Sequence, residues 1–254
     1  MLLLRPLLSA PLLSASLAPL SSSSALSSTS TSTSTSNPPS FYASSPLTSL
    51  PPLAHVLMSS LLPSLAPGDC VVDATAGNGS DSHFLASEIS RAFPDPTPKP
   101  TLLCLDVQAA AVDKTKRRLE PFPFADVQLR SHSPLLPPTP SLALAVYNLG
   151  YLPNHKPNPD EARVATQTAS SLSSLKEALD ALRPDGAVFV TSYPASNADE
   201  HAKVMGLADS VARLSSRSPV PVPGVGEGKA FRVFHHEPAG RESSPVLTTL
   251  TRIK

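Results

Sequence analysis

The sequence predicts an α/β fold on a mostly parallel sheet, and three observations carry that prediction. Beyond Pro52, short apolar runs rich in Val, Leu and Ala alternate with stretches of helical spacing, the signature of βαβ units. A Gly-containing turn follows the first apolar run directly, and an acidic residue closes the second. The last two runs have no helix between them, which suits an antiparallel hairpin at the sheet edge. The expectation is a Rossmann-like arrangement of seven strands with helices on both faces.

Each element has a local reason. Leu53 to Leu65 carries apolar residues at helical spacing and is closed by Pro67-Gly68, so it reads as an opening helix. Cys70 to Ala74 is a first strand, buried on both faces to judge from Val71 and Val72, followed by the Gly turn and a helix over about Ser80 to Ala92. A Pro-rich loop, Phe93 to Pro100, precedes a second strand at Leu102 to Val107 and a helix over about Ala109 to Leu119. A third strand near Val127 to Arg130 leads through the Pro-rich segment Pro134 to Pro140 to a fourth over about Leu142 to Tyr147. A long amphipathic helix over about Ala162 to Leu182 places Leu172, Leu175, Leu179 and Leu182 on one stripe and stops at Pro184-Asp185-Gly186. Strand five is Ala187 to Ser192, followed by a helix near Asp199 to Leu214 and a loop rich in Pro and Gly from Ser218 to Gly228. Phe231 to His235 and Val246 to Ile253 form the terminal hairpin.

The front of the chain is of another kind. From Met1 to about Pro46 it is almost wholly Leu, Ser, Thr, Ala and Pro; Arg5 is its one charged residue, and the first acidic residue of the chain is Asp69. Ser and Thr alternate over Ser28 to Ser36, bond their own backbone and offer little apolar area against the entropy of ordering. Residues 1–48 therefore read as a disordered transit peptide ahead of one domain over 49–254. The scarcity of Arg favours a chloroplast address, with the mitochondrion as the alternative. A secretory signal competes, since Leu2 to Leu4 and Leu12 to Leu20 are apolar, but Pro6, Pro11 and Pro19 interrupt its apolar core. No later stretch approaches the ~20 consecutive apolar residues of a membrane span, so no membrane partner is expected.

Twenty Lys and Arg balance twenty Asp and Glu among the 254 residues. A long phosphate backbone is then held weakly by overall charge, and a nucleic-acid substrate must be gripped through a local patch. Lys114, Lys116, Arg117 and Arg118 form a short basic run, for which a solvated helix face is the plainer reading. Cys70 and Cys104 lie inside apolar runs with neither redox nor zinc spacing, so both are read as core residues, and no metal site is expected.

Chemistry concentrates at the strand ends. In Asp73-Ala74-Thr75-Ala76-Gly77-Asn78-Gly79, Gly77 and Gly79 let the backbone turn tightly and approach a ligand at the topological switch point of an open sheet. A dinucleotide fingerprint would need a third Gly where Ser82 stands, and the carboxylate of Asp73 suits a cationic sulfonium better than a pyrophosphate. A βα turn without a ligand remains open. Asp106 ends the second strand, where a carboxylate accepts bonds from two ribose hydroxyls and Gln108 can follow it around the adenosine; a helix N-cap is the alternative. Ser131-His132 lies where the adenine edge or the methionine end would sit, although a lone His is more often structural. Asn148-Leu149-Gly150-Tyr151-Leu152-Pro153 directly follows strand four. An Asn amide and neighbouring carbonyls can hold an amine with its lone pair in line with an S–CH₃ bond, with Tyr151 flanking the substrate; a surface turn is the alternative. The layout is similar to the Asn-Pro-Pro-Tyr loop of amino-group methyltransferases.

Together these residues resemble the small bacterial and plastid family first labelled rRNA methylases and now associated with methylation of 5-aminomethyl-2-thiouridine at the tRNA wobble position. The resemblance spans most of the chain beyond Pro52. It rests on Asp73 to Gly79 with Asp81, Asp106-Val107-Gln108, Ser131-His132, Asn148 to Pro153, Thr166 and Thr168, and Tyr193-Pro194. It implies a class I S-adenosylmethionine-dependent methyltransferase in which Asn78, Asp81, Asp106, Gln108, Ser131 and His132 line the methyl-donor pocket and Asn148 to Pro153 faces the aminomethyl group. It implies the anticodon region of tRNA as partner, and a homodimer is compatible with it. The chain departs from the family after Tyr193-Pro194, where Ala195 to Glu200 replaces a Gly-His and a Gly-rich acidic turn, and before the final strand, where Glu237 to Arg241 replaces an Asn-rich approach. A small-molecule amine N-methyltransferase and an inactive donor-binding, RNA-associated protein are the alternatives.

Overall fold

Seven strands form one sheet in the order β3-β2-β1-β4-β5-β7-β6. The computed structural model describes residues 50–94, 97–135, 141–150, 167–214, 221–238 and 243–253, so the leader and Tyr151 lie outside the described residues. The strands are β1 (Cys70–Asp73), β2 (Thr101–Asp106), β3 (Ala125–Leu129), β4 (Leu142–Leu149), β5 (Leu182–Ser192), β6 (Phe231–His236) and β7 (Val246–Arg252). The helices are α1 (Leu50–Leu61), α2 (Ser80–Ala92), α3 (Ala109–Leu119), α4 (Thr168–Ala181) and α5 (Ala198–Arg213). β1 to β5 pair in parallel, whereas β7 runs antiparallel between β5 and the edge strand β6. The order reverses between β1 and β4, which opens a crevice at their carboxyl ends.

The period-2 geometry of the strands divides the core in two. Val72, Leu105, Tyr147, Val188 and Val190 pack with Leu175 and Leu179 of α4 and Val204 and Val211 of α5. Their chain neighbours Val71, Cys104, Val146 and Phe189 pack with Met58 of α1, Leu85 and Ile89 of α2, and Leu119 of α3. The amino ends of the strands are pinned through buried Asp69, which accepts from Ala66 N–H at 2.8 Å and Ser141 Oγ at 2.8 Å and pairs with Arg183 Nη2 at 3.1 Å. That end is built for stability. The opposite end is left for chemistry.

Three boundaries differ from the sequence expectation. The opening helix runs over Leu50–Leu61 and tightens into a 3-10 turn at Leu62–Ser64 around Pro63, which cannot donate to the regular helical ladder. The long helix ends at Ala181, because Arg183 precedes Pro184 and is driven toward extended backbone. β5 starts at once, and the expected helix stop is a bulge within it: pairing jumps from Leu142↔Leu182 to Leu144↔Ala187, with Asp185 at φ 61. β4 runs on to Leu149, so Asn148 lies inside the strand, opposite Thr191, rather than after it. The expected helical turn 162–166 lies outside the described residues.

Candidate active site

The site grows from the turn after β1. Gly77 and Gly79 have φ of 52° and 74°, the left-handed region that other residues resist. The turn is held from two sides. Ala76 N–H donates to the Leu105 carbonyl at 2.9 Å, and Gly77 N–H donates to Asp106 Oδ2 at 2.8 Å. From α3, Thr115 Oγ1 donates to the Gly77 carbonyl at 3.2 Å. A Cβ on Gly79 would stand 2.9 Å from Thr115 Oγ1 and 3.1 Å from Thr115 Cα, so the second glycine serves helix packing as well as the turn.

Asp106 is not a helix cap. Gln108 occupies the N-cap position of α3, and Asp106 Oδ1 accepts from the Gln108 N–H at 2.8 Å, an Asx turn that points the carboxylate back toward the glycines. The acid that closes β2 therefore fixes both the glycine turn and the start of α3. Val107 beside it is 52 % exposed, an apolar side chain at the rim that the sequence reading passed over.

Asp73 departs from its expected role. It is 1 % exposed, accepts from Ser82 Oγ at 2.5 Å and from Thr75 N–H at 3.2 Å, and so lies inside the protein's own network. Burial pushes its carboxyl up to about 7, with the Asp81 charge adding to the effect. Its contribution is to tie the turn to α2, and Ser82, the residue that breaks the dinucleotide pattern, is the partner in that tie. Asn78 sits on the same turn, half-buried, with its Oδ1 3.4 Å from Lys114 Nζ, while Arg118 Nη1 donates to Ser80 Oγ at 3.0 Å. Two of the four basic residues on α3 thus lean over the rim of the turn. Asp81, in the first turn of α2, has its Oδ1 2.8 Å from Nε2 of His55 on α1.

Across the crevice, Asn148 N–H donates to Thr75 Oγ1 at 2.6 Å, which locks β4 to the turn after β1. Its side-chain Oδ1 accepts from the Tyr193 hydroxyl at 2.8 Å. Burial, then the charge of Asp81, raises the Tyr193 hydroxyl above its ordinary value, so it stays a donor. A Cβ on Gly150 would meet the Tyr193 ring at 3.0 and 3.1 Å, so the glycine of the Asn-Leu-Gly run makes room for that ring. Tyr193 and Thr75 were not assigned roles from sequence. Their signal was the position of Tyr193 just beyond β5 and of Thr75 just beyond β1.

Ser131 accepts from Ser133 N–H at 3.2 Å and remains half-buried at the end of β3. His132 reaches over the sheet to the edge of the Tyr147 ring, centroids 6.1 Å apart. It is 7 % exposed, its Nε2 is buried without a hydrogen-bond partner among the described residues, and burial lowers its pKa, so the ring is neutral. An unpartnered buried polar atom costs about 1–3 kcal/mol unless a ligand satisfies it. A nucleoside donor can supply that bond, with Asp106 for its hydroxyls. Among the described residues, no group of three or more His, Cys, Asp or Glu side chains could hold a metal ion, and no helix is long and apolar enough to cross a membrane.

Known proteins share the fold that carries this site. The family model described as "Putative rRNA methylase" matches residues 102–217, a stretch that holds Asp106, His132, Asn148 and Tyr193 and begins after the glycine turn. A putative methyltransferase from Streptococcus mutans, solved in complex with SAH, superposes with a TM-score of 0.59 at 23 % identity, covering 79 % of this chain and 96 % of that one. The fold is that of class I methyltransferases. A putative rRNA methylase from Clostridium thermocellum matches at 22 % identity and TM-score 0.59 over 79 % of this chain and 96 % of its own. An rRNA methylase from Streptococcus thermophilus matches at 21 % identity and TM-score 0.54, covering 80 % and 95 %.

Proposed function

We propose that this chain is an S-adenosylmethionine-dependent N-methyltransferase acting on an RNA nucleoside, namely the aminomethyl group of 5-aminomethyl-2-thiouridine at the tRNA wobble position. The observation that carries the reading is the Asp106 carboxylate clasping the glycine turn at the switch point, with the unpartnered Nε2 of His132 above the neighbouring strands. The donor supplies an electrophilic methyl group on a sulfonium. The chain supplies position. Asp106 accepts from the ribose hydroxyls, Gln108 and Ser131 border the adenosine, and His132 meets its remaining polar edge. Asn148 Oδ1 has one lone pair occupied by Tyr193 and a second for an amine N–H, which leaves the amine lone pair to face the methyl group. Lys114 and Arg118, leaning over the turn, support phosphate contacts that the neutral overall charge does not provide.

The segment after Tyr193 favours a second reading, a small-molecule amine as acceptor. There Ser196 and Asn197 N–H groups bond back to the Tyr193 carbonyl, and Asn197 caps α5 by accepting from Glu200 N–H at 3.0 Å, a rigid helix start where the family carries a Gly-rich turn. One experiment decides. The leader-free protein is incubated with isotopically labelled donor and either tRNA lacking the modification or free primary amines, and nucleosides and amines are resolved by mass spectrometry. Label on the wobble nucleoside alone supports the proposal, label on free amines alone selects the second reading, and donor binding without product identifies an inactive donor-binding protein. For the leader, a plastid address is proposed, and residues 1–48 fused to a fluorescent protein test it.

A further inference from the structure

A part-buried contact joins α1 to the start of α2 beside the glycine turn. Asp81 is bound among the described residues by His55 alone, Oδ1 to Nε2 at 2.8 Å, across 26 residues of sequence. An ionised carboxylate has no proton to give, so Nε2–H is the donor. The His55 ring lies flat on Phe84, centroids 3.9 Å apart and planes within 1° of parallel. Phe84 stands three residues after Asp81, on the same face of α2, so carboxylate and ring together fix both the tilt of the imidazole and the direction of its N–H. Side-chain exposures of 28 % for His55 and 20 % for Asp81 set the pair apart from a solvated surface pair. The Asp81 charge is also felt at Asp73 beneath the turn and at Tyr193 across the crevice, where it adds to burial, the larger cause, in raising both pKa values.

We infer that His55 is a positioning residue of the donor site. It holds the Asp81 carboxylate in the orientation that receives the ammonium group at the amino-acid end of the donor, which makes α1 a wall of the pocket. The inference rests on the methyltransferase reading. Asp106 answers the hydroxyls of the nucleoside; the cationic ammonium at the other end of the same molecule needs a second carboxylate, and Asp81 lies at the start of α2 just past the glycine turn. A carboxylate turning freely would lose much of that interaction to the entropy of ordering, and the bond from His55 removes the loss in advance.

The test compares two probes by calorimetry. S-adenosylhomocysteine carries the amino-acid end, and 5′-methylthioadenosine shares the nucleoside and thioether but lacks it. His55→Ala weakens S-adenosylhomocysteine about tenfold, the size of one charge-assisted hydrogen bond at its low end, and leaves 5′-methylthioadenosine unchanged. Asp81→Asn gives the same selective loss, and the double variant loses little more than either single one. His55→Gln, whose amide N–H can reach Asp81, recovers most of the affinity and serves where His55→Ala folds poorly. Equal loss on both probes, or no loss on either, overturns the inference and leaves the methyltransferase reading standing. If the unmodified protein binds neither probe, the methyltransferase reading fails first and the inference with it.

Discussion

Gly79→Ala is the sharpest perturbation of the glycine turn. Two costs add. At φ 74° an L-residue sits in the left-handed region, which costs roughly 1–2 kcal/mol. The new Cβ would also stand 2.9 Å from Thr115 Oγ1, 3.1 Å from Thr115 Cα and 3.2 Å from Thr115 Cβ. Thr115 has nowhere to go, being fully buried in α3 with its hydroxyl bonded to the Gly77 carbonyl, so α2 and α3 must separate locally. Overpacking of that kind costs about 1–3 kcal/mol, for a total of roughly 2–5 kcal/mol. Gly228→Ala supplies the control: its φ is 78° and nothing lies within 4 Å of the position its methyl would take, so only the conformational cost of about 1–2 kcal/mol remains. Urea unfolding followed by circular dichroism gives both values at one pH. If Gly79→Ala is no more destabilised than Gly228→Ala, the close approach of Thr115 has no energetic weight, and the packing role assigned to this glycine is wrong.

Three more outcomes are expected. Asp106→Ala loses about 1–3 kcal/mol of donor affinity through its charge-assisted bonds, and unchanged affinity in calorimetry counts against the ribose assignment. Asp73→Asn changes how stability responds to pH. Burial holds the folded-state value of Asp73 near 7 against an ordinary 3.8, so as pH rises the unfolded chain ionises first and the wild type loses stability between those values, levelling off above the upper one. The stability of Asp73→Asn minus that of the wild type therefore increases from pH 5 to pH 8 in urea midpoints, and a flat difference contradicts the burial argument. Tyr193→Phe removes the donor that fixes Asn148, so kcat falls by about five- to tenfold while the affinity for S-adenosylhomocysteine holds, an effect near 1 kcal/mol. A matching loss of donor affinity would place Tyr193 on the wrong side of the crevice.

The sheet was legible because apolar runs bounded by Gly and Pro carry their own period. Val71 and Val72 pointed to a strand buried on both faces, and the structure divides them between the two halves of the core. Pro184-Asp185-Gly186 was misread because the same three residues end a helix or bulge a strand, and only the pairing of Leu182 with Leu142 distinguishes the two. At the site, the place of Asp106 at the end of β2 was readable from the apolar run it closes. The surroundings of Asp73 were not, since whether a carboxylate faces a ligand or a buried hydroxyl depends on where Ser82 falls nine residues later, in the first turn of α2. Contacts such as Asn148 with Tyr193 and Asp81 with His55 span 45 and 26 residues, and no local pattern announces them.

The two thiols of the chain have a practical consequence. Cys70 and Cys104 are both buried in the sheet; burial, followed by the charge of Asp69, pushes Cys70 up to about 11, and Cys104 is raised further, chiefly by burial. Neither exposes a thiolate to an alkylating reagent at neutral pH. A cysteine introduced at an exposed position such as Val107 would then be the sole maleimide-reactive group, and a fluorophore there would report the arrival of a nucleoside without first stripping the protein of its own sulfur.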